Sequence, residues 1–415
     1  MKFAALIVGV ALAVSVAEAG EVGRFRPATP GYVVLRVPAS ASNDPIAQLE
    51  QRRAHSPESE PIAAELAQLY LARARAEREP RYFARAEALV RPWASRDDAR
   101  AATLLVQADI LQNRHDFSTA SKLLDRAIAL DPRDASARLM RASVKMVGGH
   151  AAEARPDCAS VLASGESTTG TICLAQVLGA TGGLDRAQTL LEALVSRDGA
   201  NAAAPGARAT AFAAPSGGAL AASARDAGAS RVDASVRAWA LWLLADFADR
   251  AGDTRSAEAH LRAALETAPQ NEGIRSALSD LLSSRGAYRD ALAIVDLPAP
   301  SIGLLARRAR AQQLLHDPAL DDTCSQIQDL ITLASRRGDP PHLREEALIA
   351  LEVDHDAARA LDLAKANFES QRETIDIRLL TRAATARGDR ATLRSIATWI
   401  HETGYEDRQL QGPPT

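Results

Sequence analysis

Small side chains recur along this 415-residue chain with a period of about 34 residues. Ala154 follows Ala120 by 34 positions, Ala187 follows Ala154 by 33, and Ala291 follows Ala257 by 34. A fixed period of this length is typical of repeated helix–turn–helix units. Each of these alanines is preceded at twelve positions by another small residue, with a helix breaker between the two in most units: the small residues are Ala108, Ala142, Ala175, Ala245 and Ser279, and the breakers are Gly149, Gly182, Gly252 and Gly286, with His115 as the exception.

The physical reason for this pattern is close helix packing. Alanine at the crossing points lets two helices approach each other without a bulky spacer. Glycine adopts the left-handed conformation that ends the first helix, and Pro132 and Pro269 stop the second one. Hydrophobic residues make up 47% of the chain but aromatic residues only 4%, so alanine and leucine supply most of the packing. The pattern therefore predicts helix pairs that bury their apolar faces by stacking.

The repeated positions resemble those of the tetratricopeptide repeat family. The resemblance implies an all-α solenoid of stacked helix–turn–helix repeats, wound into a right-handed superhelix. It covers most of the chain after the N-terminal 43 residues, but it is weak evidence for function because this fold hosts many partners. The strongest matches are the sets Ala108, Ala120, Ala127, Pro132 and Ala245, Gly252, Ala257, Ala264, Pro269.

The N-terminus predicts export. Lys2 is followed by an apolar run over residues 3–16 and by the small-x-small site Ala17-Glu18-Ala19, which together are typical of a secretory signal peptide. We expect a mature chain in a bacterial periplasm without stable membrane insertion, the alternative being an uncleaved anchor in the inner membrane. The expected organisation is a signal peptide at 1–19, an extended segment with one short strand at 20–43, an N-terminal array at 44–195, an Ala/Gly/Ser-rich linker at 196–233, a C-terminal array at 234–405 and a disordered tail at 406–415. The linker is expected to let the two arrays move relative to each other.

Charge and motifs favour a binding protein. The 49 basic and 52 acidic residues leave a net charge of −3 and form no long basic run, which is not the pattern of a nucleic-acid-binding protein. We find no catalytic, metal or cofactor motif. The sequence therefore favours a non-enzymatic scaffold for a protein or peptide, in envelope assembly, secretion or a membrane-protein complex. Two alternatives stay open: a carrier or sensor that uses its histidines for a metal or small ligand, and an enzyme with a site built from Asp246, Asp280 and arginines.

The family resemblance also implies where a partner binds, because the first helix of each pair lines the inner, concave face of such arrays. Two tryptophans beside acids would clasp a peptide through ring stacking and attraction to its basic groups. The alternative is that both tryptophans pack against the linker or the preceding unit. The candidate groove residues are Trp239, Trp242, Asp246, Asp249, Asp280 and Asp109, with Arg307 and Arg310 as a local basic patch.

The cysteines suggest one disulfide bond. Cys158 falls in the second helix of one unit and Cys173 in the first helix of the next, and these helices are neighbours in a stack. Because an exported chain meets an oxidising compartment, we favour a bond between them. The alternative is two buried thiols that act as small hydrophobic groups. Cys324 is left unpaired.

Overall fold

A computed structural model describes residues 44–77, 81–201, 233–298 and 300–410. The predicted signal peptide and extended segment (1–43) lie outside these residues, as do 202–232 of the linker and 411–415 of the tail. Over the described ranges the chain contains helices and no strand. The helices are α1 (Pro45–His55), α2 (Glu60–Glu77), α3 (Arg81–Ala94), α4 (Ala101–Asn113), α5 (Phe117–Leu130), α6 (Ala135–Val147), α7 (Ala151–Ala163), α8 (Ser167–Ala180), α9 (Leu184–Asn201), α10 (Ala234–Arg250), α11 (Thr254–Thr267), α12 (Glu272–Ser284), α13 (Tyr288–Val295), α14 (Ile302–Leu315), α15 (Leu320–Arg337), α16 (Leu343–Glu352), α17 (Ala357–Phe368), α18 (Thr374–Arg387) and α19 (Arg390–Thr403).

From α2 onward, the helices pack in pairs that follow one another along the chain, beginning with α2–α3 and ending with α18–α19. Most second helices also pack against the first helix of the next pair. Most first helices contact the first helix of a neighbouring pair and so form a layer of their own. This arrangement is an α-solenoid, which confirms the fold class predicted from the repeat.

The repeated positions have the roles that the sequence predicts. Ala120 and Ala154 are fully buried at the helix crossings. Gly149 ends its first helix with a φ angle of 81°, in the left-handed region that glycine tolerates best. His115 adopts the same region with a φ of 57°, so a histidine performs the reversal in that unit. The next helix of a pair then begins at a cap, as where the Asp253 side chain accepts a hydrogen bond from the Ser256 amide at 3.0 Å.

The two predicted arrays form one continuous core. A single hydrophobic cluster extends from Leu139 in α6 through α8 and α9 to Phe247 in α10. Gly179 of α8 lies so close to α10 that a Cβ atom there would be 2.6 Å from Cε1 of Phe247. Residues 196–201, expected in the linker, instead continue α9 to Asn201. The expected mobility between the two arrays is therefore wrong for their described parts, because α8, α9 and α10 share buried apolar surface.

The C-terminal units turn back onto the first half of the array. They meet a row of turns, each of which joins the first and second helices of one pair. The Arg372 amide, between α17 and α18, donates a hydrogen bond to the Val147 carbonyl at 2.7 Å. A Cβ atom at Gly149 would lie 3.2 Å from Cβ of Arg372, and one at Gly182 would lie 3.4 Å from the Gly404 carbonyl oxygen. The solenoid therefore winds back on itself, so its contacts are not limited to neighbouring repeats.

The segment after α19 completes this contact, and we call residues 404–410 the closing segment. The guanidinium of Arg250, at the end of α10, stacks on the Tyr405 ring with 4.1 Å between its carbon and the ring centroid. Its Nε donates to the Glu406 carbonyl at 2.8 Å, and the Arg408 amide donates to the Arg250 carbonyl at 2.9 Å. Residues 406–410, expected to be a disordered tail, are therefore ordered by contacts with α10.

The structure joins Cys158 and Cys173 in a disulfide bond with 5.4 Å between their Cα atoms, the pairing that the sequence favours. The bond links α7 to α8, the second helix of one pair to the first helix of the next. Both cysteines are fully buried. Cys324 is a free cysteine in α15 and is partly buried.

Candidate interaction surface

The first helices of the pairs, α2 to α18 in steps of two, form what we call the first-helix layer, and it contains every predicted groove residue. Trp239 is only 6% exposed and packs in the cluster that joins α8, α9 and α10. Its assignment to the groove is therefore wrong, and the alternative of packing on the preceding unit is correct. Trp242 is partly buried, packs against the core between α10 and α12, and keeps part of its ring accessible.

The acids of α10 already have partners within the chain. Asp246 forms an ion pair with Arg250 one turn further on, with 3.3 Å between Oδ2 and Nη1. Asp249 forms a close ion pair with Arg378 of α18. Its Oδ1 also accepts a hydrogen bond from the side-chain Nε2 of Gln409 at 2.9 Å. Burial raises the pKa of Asp249, although Arg378 acts in the opposite direction. Asp249 thus contributes to the closure of the solenoid, whereas Asp246 pairs within its own helix.

Arg307 and Arg310 both bind Asp280. Oδ2 of Asp280 in α12 lies 2.8 Å from Nη2 of Arg307, and Oδ1 lies 2.8 Å from Nη2 of Arg310. Burial by itself would raise the pKa of Asp280, but the two guanidinium groups outweigh it and hold the pKa below its usual value. The expected basic patch is wrong, because both arginines form ion pairs with Asp280 and are no more than 5% exposed.

This ion-pair network continues along the layer into the C-terminal units. Glu352 of α16 lies 3.8 Å from Nε of Arg310 and 2.5 Å from Nη2 of Arg382 in α18. Acid and base thus alternate across α12, α14, α16 and α18. Charged pairs of this kind fix the register between units more than they provide a site for a ligand.

Asp109 follows the same rule in the N-terminal units. It is 6% exposed, and Arg75 of α2 donates a hydrogen bond to its Oδ1. Burial raises the pKa of Asp109, and Arg75 opposes that shift. Sequence reasoning missed Arg75, although a base 34 residues before an acid is a signal that a 34-residue repeat makes readable.

A second buried polar cluster lies where α16, α17 and α18 meet. Nε of Arg344 donates to Oδ1 of Asp376 at 2.6 Å, and Nδ2 of Asn367 donates to the same oxygen at 2.7 Å. Burial raises the pKa of Asp376 to about 6, against the opposing effect of Arg344. Oδ2 of Asp376 also accepts a hydrogen bond from the backbone amide of Glu373 and so caps the start of α18. This cluster is fully used in holding three helices together.

Over the described ranges, no group of three or more histidine, cysteine, aspartate or glutamate side chains is placed to hold a metal ion. Within the same ranges, no helix combines the length and apolar character that crossing a membrane requires.

One segment of the sequence matches a known family. Residues 250–301, which contain α11, α12 and α13 with their connecting turns, match the sequence profile described as tetratricopeptide repeat. The rest of the described chain repeats the same packing of helix pairs. The 250–301 segment is similar to tetratricopeptide repeats. Proteins built from such repeats are generally non-enzymatic scaffolds for protein interactions, and the match supports an interaction scaffold in that general sense.

Solved structures with a similar course of the chain include a human IFIT1 dimer with PPP-AAAA, at 13% identity and a TM-score of 0.47, covering 88% of this chain and 78% of that one. Another is the APC/C hetero-tetramer Cut9-Hcn1, at 12% identity and a TM-score of 0.41, covering 81% of this chain and 58% of that one. Likenesses this distant carry no argument about function. No curated protein matches the sequence.

Proposed function

We propose that this protein is an exported, non-enzymatic scaffold that binds a protein or peptide on the first-helix layer, next to Trp242. The observation that carries the proposal is that the acidic side chains of this layer are paired with arginines within the chain. Asp109, Asp249 and Asp280 all bind arginines of other repeats. Because these acids are neutralised, they are poor candidates for general acids, general bases or metal ligands. Recognition by shape and apolar contact is the use that fits such a surface.

Trp242 is the anchor that this surface offers. It lies one helical turn before Asp246 in α10 and is partly exposed, whereas Trp239 is buried. Tryptophans that keep part of their ring accessible are frequent energetic centres of protein interfaces. A peptide that covers Trp242 would also lie beside the Asp246 carboxylate, whose side chain is 29% exposed.

The signal-like N-terminus supports a location in a bacterial periplasm and a role in envelope assembly, secretion or a membrane-protein complex. Cell fractionation with sequencing of the mature N-terminus tests this part. The proposal expects cleavage after Ala19 and recovery with periplasmic proteins. A full-length chain recovered with cytoplasmic proteins would contradict it.

Binding is tested by capture from envelope extracts with the wild-type chain, Trp242→Ala and Leu130→Ala. Leu130 is 59% exposed on α5, a second helix, and is the matched control for loss of an exposed apolar side chain. We expect one defined protein to be retained by the wild type and by Leu130→Ala and to be lost with Trp242→Ala. Equal retention by all three would refute the assignment of the site.

A further inference from the structure

We propose that closure of the solenoid is an autoinhibitory contact, which masks on α10 a binding surface for an arginine-bearing peptide segment. The proposal rests on the proposed function, since it names the partner chemistry and the control of the surface next to Trp242. It is carried by the contacts that Asp249 and Arg250 make with residues more than 125 positions further along the chain.

The closure interface differs in kind from the interfaces between neighbouring repeats. Neighbouring repeats bury continuous apolar clusters along whole helices. The closure is made by turns, by the closing segment and by α10 and α18, and most of its contacts are polar, such as Asp249–Arg378 and Leu184 N–Glu406 Oε1. An interface made mainly of polar contacts gains less from apolar burial than a continuous apolar one. Opening the closure therefore exposes less apolar surface than separating two neighbouring repeats would.

Opening would expose the carboxylates in the C-terminal turns of α10. In the closed chain, the side chains of Arg378 and Gln409 donate hydrogen bonds to the Asp249 carboxylate. In the open chain Asp249 would lose both and would stand one turn from Asp246, with Trp242 one turn before that. The ion-pair partner of Asp249 in the closed chain is the guanidinium group of Arg378. The external partner that best replaces it therefore carries an arginine. Trp242 would receive the apolar part of such a segment.

The closed ion pair can be broken from either side, which provides matched variants. Arg378→Gln removes the guanidinium that pairs with Asp249, which then keeps only its hydrogen bond from Gln409, whereas Asp249→Asn removes the carboxylate. Both should open the chain and increase its radius of gyration in small-angle X-ray scattering. Gln409→Glu is an opening variant that is safe for folding, because it places a second carboxylate beside Asp249 at the exposed edge of the interface. Arg359→Gln breaks an exposed ion pair elsewhere in the C-terminal units and is the control.

Binding is measured with a fluorescent tetra-arginine peptide at low salt. We expect Arg378→Gln and Gln409→Glu to bind it about tenfold more tightly than the wild type, a ratio that corresponds to about 1.4 kcal/mol. Asp249→Asn should open without this gain, and Arg359→Gln should match the wild type in both measurements. A tetra-lysine peptide should gain less than the arginine peptide.

Two results would overturn the proposal. If Arg378→Gln and Gln409→Glu scatter as the wild type does, closure is not a gate. If they open but bind tetra-arginine no better than Asp249→Asn, the masked surface does not recognise arginine. Neither result touches the capture experiment with Trp242→Ala, so failure of this proposal is distinguishable from failure of the proposed function.

Discussion

The contact between Gly179 and Phe247 provides a quantitative test of the continuity between the two halves of the solenoid. Gly179 lies inside α8, where alanine would ordinarily stabilise a helix by about 1 kcal/mol. Here an added Cβ atom would lie 2.6 Å from Cε1 and 2.8 Å from Cζ of Phe247. Phe247 is 1% exposed and has little freedom to move away. Gly179→Ala should therefore destabilise the protein.

The magnitude follows from two opposing contributions. Overpacking of a tight core costs about 1–3 kcal/mol, and the helix preference of alanine returns about 1 kcal/mol. Phe247→Leu removes the two ring atoms that the new Cβ meets. In that background Gly179→Ala should change from destabilising to neutral or stabilising. The coupling energy between the two positions should therefore be about 1–3 kcal/mol, as for residues in direct contact.

The assay is urea unfolding followed by circular dichroism for the wild type, both single variants and the double variant. Gly303→Ala is the matched control, because Gly303 also lies in a helix but the nearest atom to its added Cβ is 3.6 Å away. It should stabilise by up to about 1 kcal/mol. If Gly179→Ala stabilises as Gly303→Ala does, with no coupling to Phe247, then α8 does not pack on α10 and the continuous core is refuted.

Two further predictions concern the buried cluster and the disulfide. Arg344→Met strands the fully buried Asp376 carboxylate and should cost about 3–5 kcal/mol in urea unfolding; if adding Asp376→Asn recovers none of that loss, the pair is not responsible for it. Mass mapping without reductant should find Cys158 linked to Cys173, and reduction of this 15-residue loop should lower stability by about 3 kcal/mol. Free thiols at both positions in protein taken from the periplasm would contradict the bond.

Contacts between neighbouring repeats were predictable from the sequence because they recur with its period. Ala120 and Ala154 occupy equivalent positions in successive pairs, and both are buried for the same reason. The pairing of Arg75 with Asp109 is readable by the same spacing of 34 residues. A periodic chain thus reveals its nearest-neighbour contacts.

The sequence of α10 indicates that Trp239 is buried, although the repeat positions alone place it in the groove. The α10 segment is apolar around most of its circumference, with buried residues from Val236 to Ala248. A helix of that composition packs on more than one side. Trp239 therefore faces the preceding unit, and Trp242 remains nearer the surface.

The closure had no such signal. Asp249 and Arg378 are 129 positions apart, and Leu184 and Glu406 are 222 positions apart. Neither separation is read from the repeat, because it depends on how far the solenoid curves per unit. Small rotations between repeats, summed over the whole array, decide which turn meets which segment. This part of the candidate site became visible only in three dimensions.

The most direct test of the account is a cross-link across the closure. Gly149→Cys and Arg372→Cys, in a Cys324→Ser background, place two Cβ atoms 3.2 Å apart, near the separation that a disulfide spans. A Gly286→Cys and Arg372→Cys pair is the control, since an added Cβ at Gly286 meets nothing within 4 Å. We predict that mild oxidation of the monomer links positions 149 and 372 and leaves positions 286 and 372 unlinked. Failure to link 149 to 372, or equal linkage of both pairs, would contradict a solenoid that winds back on itself.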